Sequence, residues 1–250
     1  MEKTIDTSDA PELVIECKNN DLKLHGQDEH SVVVESDDEQ VKVIITGNRI
    51  VISANAETEI HAPHATIVHM TDVGDLKIYE ISGGIDVGNI GGDLRGEDVG
   101  AITIQNVGGD CDLEDVNGPV RISSVSGDCK LEGVTDSINI GAVGGDLKAE
   151  DVAFVGTSVS VGGDVSLKIM PGLEPGSINA GGDVSLELAE GANATLSITD
   201  SEGMRQIKFG NGTAAIKISA GGDVSVRADG EEHERGDDER SEERRVGKEC

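Results

Sequence analysis

From Ile90 to Val161 an aliphatic residue returns almost every nine positions: Ile90, Val99, Val107, Val116, Val125, Val134, Val143, Val152 and Val161. A Gly-Gly-Asp or Ser-Gly-Asp triplet follows every second one. Its aspartates fall at Asp93, Asp110, Asp128, Asp146, Asp164 and Asp183, in steps of 17, 18, 18, 18 and 19 residues. A unit of this length cannot bury an apolar face alone and becomes stable only when copies stack on one another. The pattern therefore predicts an all-β fold: a single-stranded parallel β-helix, or β-solenoid, of about 18 residues per coil with a less regular N-terminal β region.

Within one coil, residues 108–125 read GGDCDLEDVNGPVRISSV and hold two aliphatic-x-aliphatic alternations divided by a valine. A two-residue period is that of a strand buried on one face. Short strands are expected at 111–113, 120–122, 129–131, 138–140, 147–149 and 159–161, with Val116, Val125, Val134, Val143 and Val152 turned inward at corners. Ile122 and Ile140, one period apart, should then be vertical neighbours facing the same way. A helical reading fails, because the core lacks i, i+3, i+4 aliphatics and each glycine would cost a helix about 1 kcal/mol. The triplet glycines Gly92, Gly109, Gly127, Gly145, Gly163, Gly182 and Gly222 are assigned to turns, where a positive φ or a bond from side chain to backbone is wanted. After Asp183 the next clear triplet ends at Asp223, 40 residues on, which reads as two long coils.

The chain divides accordingly. Residues 1–12 are expected to be a flexible N-terminus and 13–228 the solenoid, with 13–72 as less regular coils or a cap and 73–228 as the triplet repeats. Irregular coils or a cap make physical sense at an end, where open strand edges would invite pairing with another chain. Residues 229–239 form a charged linker or tail without apolar partners. Residues 240–250, RSEERRVGKEC, resemble a translated sequencing adapter, which implies that the true C-terminus is missing and removes the segment from functional reasoning.

A formal charge of -29 argues against phosphate backbones and anionic lipid surfaces, which require basic patches. Nucleic acid and membrane insertion are therefore not expected. No run of 18 apolar residues exists, and Met1 to Leu13 has neither a basic start nor an apolar stretch, so no membrane span or signal peptide is visible. As written the chain reads as cytoplasmic, with surface exposure following if the gene is incomplete.

Few residue groups point to chemistry. Cys111 and Cys129 hold the same place in consecutive coils, close enough for a disulfide, yet in an inward column where a free thiol acts as a small hydrophobe. Asp93, Asp110, Asp128, Asp146, Asp164 and Asp183 are weak calcium candidates, since a column of carboxylates about 4.8 Å apart repels by roughly 1 kcal/mol per pair in water. They depart from the calcium-binding nonapeptide G-G-x-G-x-D-x-U-x, and turn capping is the favoured role. His61, His64 and His69 alternate across a strand, which separates His64 from the other two and disfavours zinc. No nucleophile, base or phosphate loop stands in a recognisable context, so no catalytic residue and no cofactor are expected and the chain is read as non-enzymatic. Outward columns are expected from Lys130 with Lys148 and Lys168, and from Glu97, Glu114, Glu132 and Glu150.

The run VHMTDVGDLKIYEISGGIDVGNIGGDLRGEDVGAITIQNVGGDCDLEDV, preceded by PELVIECKNNDLKLHGQDEHSVVVES, resembles the bacterial putative-adhesin domain family of Gly-Asp-rich β-helices. The likeness spans roughly residues 13–228. It implies an adhesin-like scaffold or binding surface facing an unknown protein or cell-envelope polymer, and it brings no catalytic residues. Two other functions are compatible with the residues: a calcium-binding β-roll, and a cytoplasmic sensor or regulator whose C-terminal part is missing.

Overall fold

The structure, a computed structural model, describes residues 1–37, 39–152, 158–170 and 175–228. The expected linker at 229–239 and the adapter-like 240–250 lie outside the described residues.

The N-terminal strands are β1 (Glu2–Asp6), β2 (Glu12–Glu16), β3 (Leu22–Gln27), β4 (Ser31–Ser36), β5 (Lys42–Thr46), β6 (Arg49–Ser53), β7 (Thr58–Pro63), β8 (Ile67–Val73) and β9 (Leu76–Tyr79). The regular coils contain β10 (Ile85–Ile90), β11 (Leu94–Val99), β12 (Ile102–Val107), β13 (Cys111–Val116), β14 (Val120–Val125), β15 (Cys129–Glu132), β16 (Ile138–Val143), β17 (Leu147–Val152), β18 (Ser158–Val161) and β19 (Val165–Ile169). The C-terminal strands are β20 (Gly176–Ala180), β21 (Val184–Leu188), β22 (Ala194–Asp200), β23 (Gly203–Phe209), β24 (Ala214–Ala220) and β25 (Val224–Ala228).

Each regular coil gives one strand to each of two sheets. The first sheet runs β1-β4-β7-β3-β9-β11-β13-β15-β17-β19-β21-β25, and the second β23-β22-β24-β20-β18-β16-β14-β12-β10-β8-β2-β6-β5. Pairing within the regular coils is parallel and, apart from one shift between β17 and β19, in register: Ile122 lies beside Ile140 and Leu113 beside Leu131, all of them buried. The fold is the expected all-β solenoid. Its core is the seam between the two sheets, filled by Val, Ile, Leu, Ala and Cys.

Most strands of the regular coils run past the expected three residues, up to the corner valines, while β15 stops at Glu132. In β11 the order of burial is inward, outward, inward, then two exposed residues, then the buried Val99. A pleated strand cannot show two successive outward residues without a local change of backbone. Asp98 supplies it with φ 53°, in the left-handed region. Corresponding corners place Glu80 at 58°, Asp115 at 53°, Gly133 at 65° and Asp151 at 53°. Aspartate enters this region more readily than branched residues, and glycine enters it freely. The sequence ED-V, ED-V, EG-V, ED-V at these corners therefore lets each valine turn back into the core.

The ends are built differently. Residues 1–12, expected to be flexible, contain β1, which pairs antiparallel with β4, while β4 pairs antiparallel with β7. The apolar alternation Val32–Val34 recruits β1 as an edge, a partner that local composition does not reveal. Strands β2 and β3 are true coil strands but sit between later ones: β2 between β6 and β8, β3 between β7 and β9. A hairpin of β5 and β6 completes this end.

At the other end the 40-residue gap between triplets is one coil plus an excursion, which corrects the expectation of two long coils. Strands β24 and β25 stack directly on β20 and β21, and Asp223 sits directly over Asp183. The extra residues form the antiparallel hairpin β22–β23 beyond β24. Ile207 and Phe209 of that hairpin pack against the core. Arg205 approaches Asp200 to 2.5 Å and donates from Nη2 to the Val224 carbonyl at 2.8 Å, tying the hairpin to β25. Among the described residues no helix is long and apolar enough to cross a membrane.

The corner geometry predicts that Asp115→Gly leaves stability nearly unchanged, whereas Asp115→Val costs about 1–2 kcal/mol for forcing a β-branched residue into left-handed backbone. Urea unfolding of the two variants beside the parent chain measures the difference.

Candidate functional site

The triplet aspartates form a ladder. The backbone N–H of Asp93 donates to Asp75 Oδ1 at 3.0 Å, that of Asp110 to Asp93 at 2.9 Å, and that of Asp128 to Asp110 at 2.8 Å. The series continues with Asp146 on Asp128 at 2.9 Å, then Asp164 on Asp146, Asp183 on Asp164 and Asp223 on Asp183, each at 2.8 Å. The capping bond runs up the axis to the following coil instead of closing its own turn.

That bond explains the glycine before each aspartate. A Cβ placed on Gly92, Gly109, Gly127, Gly145, Gly163, Gly182 or Gly222 would stand 1.8–2.0 Å from the aspartate Oδ1 of the preceding coil. None of the seven has a positive φ, contrary to one of the two roles expected of them. Close approach of a carboxylate is what excludes a side chain. Each aspartate thus commits one oxygen to a neighbouring coil, and the six calcium candidates are strung along the axis. Among the described residues no group of three or more His, Cys, Asp or Glu has the arrangement of a metal site.

Cys111 and Cys129 are register neighbours, both buried and both free thiols. The hydrogen bond between them and then burial push the Cys111 thiol well above its usual range. Burial alone pushes Cys17 up to about 11. A thiol held neutral in the core is a poor nucleophile and a poor ligand.

The three histidines singled out by sequence stand apart. His69 lies on the second sheet, its Nδ1 3.8 Å from Asp86, and His64 sits at a turn, with Nδ1 2.7 Å from the Glu80 carbonyl. His61 instead joins His25, which sequence reasoning passed over. Their rings stack with centroids 5.1 Å apart, and His25 stacks in turn on Tyr79 at 5.0 Å. Both histidines turn Nε2 toward Glu59 Oε1, at 3.5 Å from His25 and 3.3 Å from His61. Burial lowers the pKa of His25 below its usual value despite that carboxylate. The clue was present: His61 and Tyr79 follow His25 by 36 and 54 residues, whole multiples of the coil.

These rings begin a column on the outer face of the first sheet. Register pairs Tyr79 with Glu97, Glu97 with Glu114, Glu114 with Glu132, and Glu132 with Glu150. The adjacent column runs Lys77, Arg95, Asp112, Lys130, Lys148 and then Ser166. Lys168 is therefore not stacked on Lys148 as expected. Twenty residues separate the two lysines, so Lys168 stands two places past Ser166, in line with the glutamate column, where its Nζ lies 3.4 Å from Asp151 and its register partner is Glu187.

Lysines neutralise the far part of the glutamate column. Lys130 Nζ is 2.7 Å from Glu114, 3.4 Å from Glu132 and 3.6 Å from Asp112, and Lys148 Nζ is 2.8 Å from Glu150. The hydrogen bonds to these lysines, and then their charge, hold the Glu114 and Glu150 carboxyls below the usual value, while Glu114 first of all holds Lys130 above its own. Nearer the rings the face is hollowed into a shallow cavity of about 290 Å³ lined by His25, Tyr79, Glu80, Glu97 and Asp98. No ion pair engages the carboxylates of Glu80, Glu97 or Asp98 among the described residues. Two of the five lining residues, Glu80 and Asp98, are left-handed corner residues.

No family model and no curated protein matches this chain. Among solved structures it is similar to a putative adhesin from Bacteroides fragilis NCTC 9343, with 14% identity, a TM-score of 0.39, and coverage of 91% of this chain and 96% of that one. It is also similar to a putative cell adhesion protein from Clostridium sporogenes ATCC 15579, with 12% identity, a TM-score of 0.24, and coverage of 91% and 99%. Identities and scores this low assign no ligand or partner.

Two outcomes follow from the ladder and the ion pairs. Asp128→Asn, which keeps an acceptor oxygen, should leave the melting temperature close to that of the parent, whereas Asp128→Ala loses about 1 kcal/mol and Gly145→Ala roughly 1–3 kcal/mol through overpacking against that oxygen. Because folding lowers the Glu114 carboxyl pKa from 4.5, its contribution is complete above that pH and disappears as the pH falls through the lower folded value. Acid unfolding curves of the parent and Lys130→Met should therefore converge at low pH and separate above pH 4.5.

Proposed function

We propose that this chain is a non-enzymatic, adhesin-like β-solenoid that uses the outer face of its first sheet as a binding surface. The observation that carries this reading is the pair of parallel columns on that face, one basic for most of its length and one aromatic then acidic, held in register by the coils. Side chains repeating about every 4.8 Å along the stack of coils suit an extended or repetitive partner. A protein segment or a cell-envelope polymer has that form.

The same face gives no support to catalysis. The imidazole lining the cavity, that of His25, is stacked between His61 and Tyr79, and its Nε2 is turned toward Glu59 and not toward a hydroxyl nucleophile. A calcium-roll reading is also less well supported, since each of the six candidate aspartates already holds a backbone N–H with one oxygen.

Sedimentation with purified cell-envelope fragments tests the binding face. Lys130→Glu with Lys148→Glu should weaken retention by roughly tenfold or more, while Arg121→Glu on the second sheet should leave it unchanged. Equal retention of all three proteins, or none by the parent, overturns the reading. Thermal unfolding in calcium and in EDTA should give superimposable curves, since a ligand that binds the native state raises its melting point.

A further inference from the structure

We propose that the cavity beside Tyr79 is a receptor for an alkylammonium group, as the lysine side chain of a protein partner presents it. This rests on the binding-face reading above and names the chemistry that one part of that face selects.

The open side of an aromatic ring forms the floor. Tyr79 has His25 as its register neighbour on one side and Glu97 on the other. His25 stacks on the first side at 5.0 Å with an interplanar angle of 17°, and His61 backs His25 at 5.1 Å. The ring is thereby fixed with its other side turned along the axis toward Glu97. A tyrosine π-face attracts a cation lying within about 6 Å of its centroid, by roughly 0.5–1 kcal/mol at an exposed site and more where water is displaced.

The walls complete the selection. Glu97 stands opposite the ring, while Glu80 and Asp98 close the side away from Lys77 and Arg95, which lie two residues before Tyr79 and Glu97 respectively. Farther along the column, Glu114, Glu132 and Glu150 each have a lysine of this chain within 3.4 Å. Glu97, the glutamate adjoining the ring, has none within 4.0 Å among the described residues, and neither do Glu80 and Asp98. The chain's own lysines thus reach Glu114, Glu132 and Glu150 but not the carboxylates at the cavity. An ammonium group arriving from a partner would make there the contacts that Lys130 makes with Glu114 and Glu132. A neutral or anionic group would meet three carboxylates without compensation.

The chain carries its own reporter, because Tyr79 is its only tyrosine and it has no tryptophan. Tyrosine emission should change saturably on titration with trilysine, and should not respond to trilysine acetylated on its side-chain amines. In Glu97→Gln with Asp98→Asn, which keeps side-chain shapes and a residue type that tolerates left-handed backbone, the apparent Kd for trilysine should rise at least tenfold while the melting curve stays that of the parent. Glu187→Gln, on the same face beyond the cavity, should bind as the parent does. A parent that does not respond, an acetylated peptide that binds as well, or a neutralised variant with unchanged Kd overturns the proposal. Envelope retention that depends on Lys130 and Lys148 would survive such a result, so failure of the cavity and failure of the face are told apart.

Discussion

A backbone N–H in the regular coils finds its acceptor one coil away. No strand here is completed by a sequence neighbour, and each relies on strands roughly a full period before and after it. Because an unpaired buried amide is costly, the period must be held almost constant, and insertions must leave the stack and return to it. The excursion through β22 and β23 does this: it leaves after β21 and rejoins so that Asp223 still reaches Asp183. The aspartate ladder extends the same vertical bonding into the turns, where strand pairing has ended. Glycine beside each aspartate is the steric condition for that extension.

Much of this was legible from composition and spacing. Aliphatics returning at nine and triplets at eighteen specify inward direction and vertical neighbours, and Ile122 beside Ile140 is the outcome. Less legible was anything decided by contacts between nonrepeating segments. Nothing in EKTID announces that it will edge the first sheet against Ser31–Ser36, since an edge strand needs few apolar residues of its own. Lys168 was misplaced although the spacing could be read: it follows Lys148 by 20 residues, and Ser166 stands one period of 18 beyond that lysine. His25 and Tyr79 were overlooked for a different reason. Their spacing fits the repeat, but their side chains do not resemble those of the acidic column they begin.

The outer face of the first sheet is governed by a tension that the architecture creates. Stacking identical coils places like residues about 4.8 Å apart, and a column of carboxylates at that distance repels itself. The chain answers by setting lysines in the adjacent column, so that Lys130 bridges glutamates of two neighbouring coils as well as Asp112. These pairs are exposed, and each adds little to stability. Their larger effect is on the character of the surface, which is neutralised along one stretch and left acidic around Tyr79. Charge on this rod is therefore patterned along its length even though the fold is periodic.

The placement of β2 and β3 bears on how the chain reaches its native state. Each lies between strands made later, β6 and β8 for one, β7 and β9 for the other. The edges of β2 are not both satisfied until β8, which ends at Val73, has been synthesised, nor those of β3 until β9, which ends at Tyr79. A ribosome releasing the chain from its N-terminus therefore emits these two segments well before their partners. The first coil in sequence is thus enclosed only when the chain has gone past it and come back, and the N-terminal end of the rod is closed by segments made after the strands they cover.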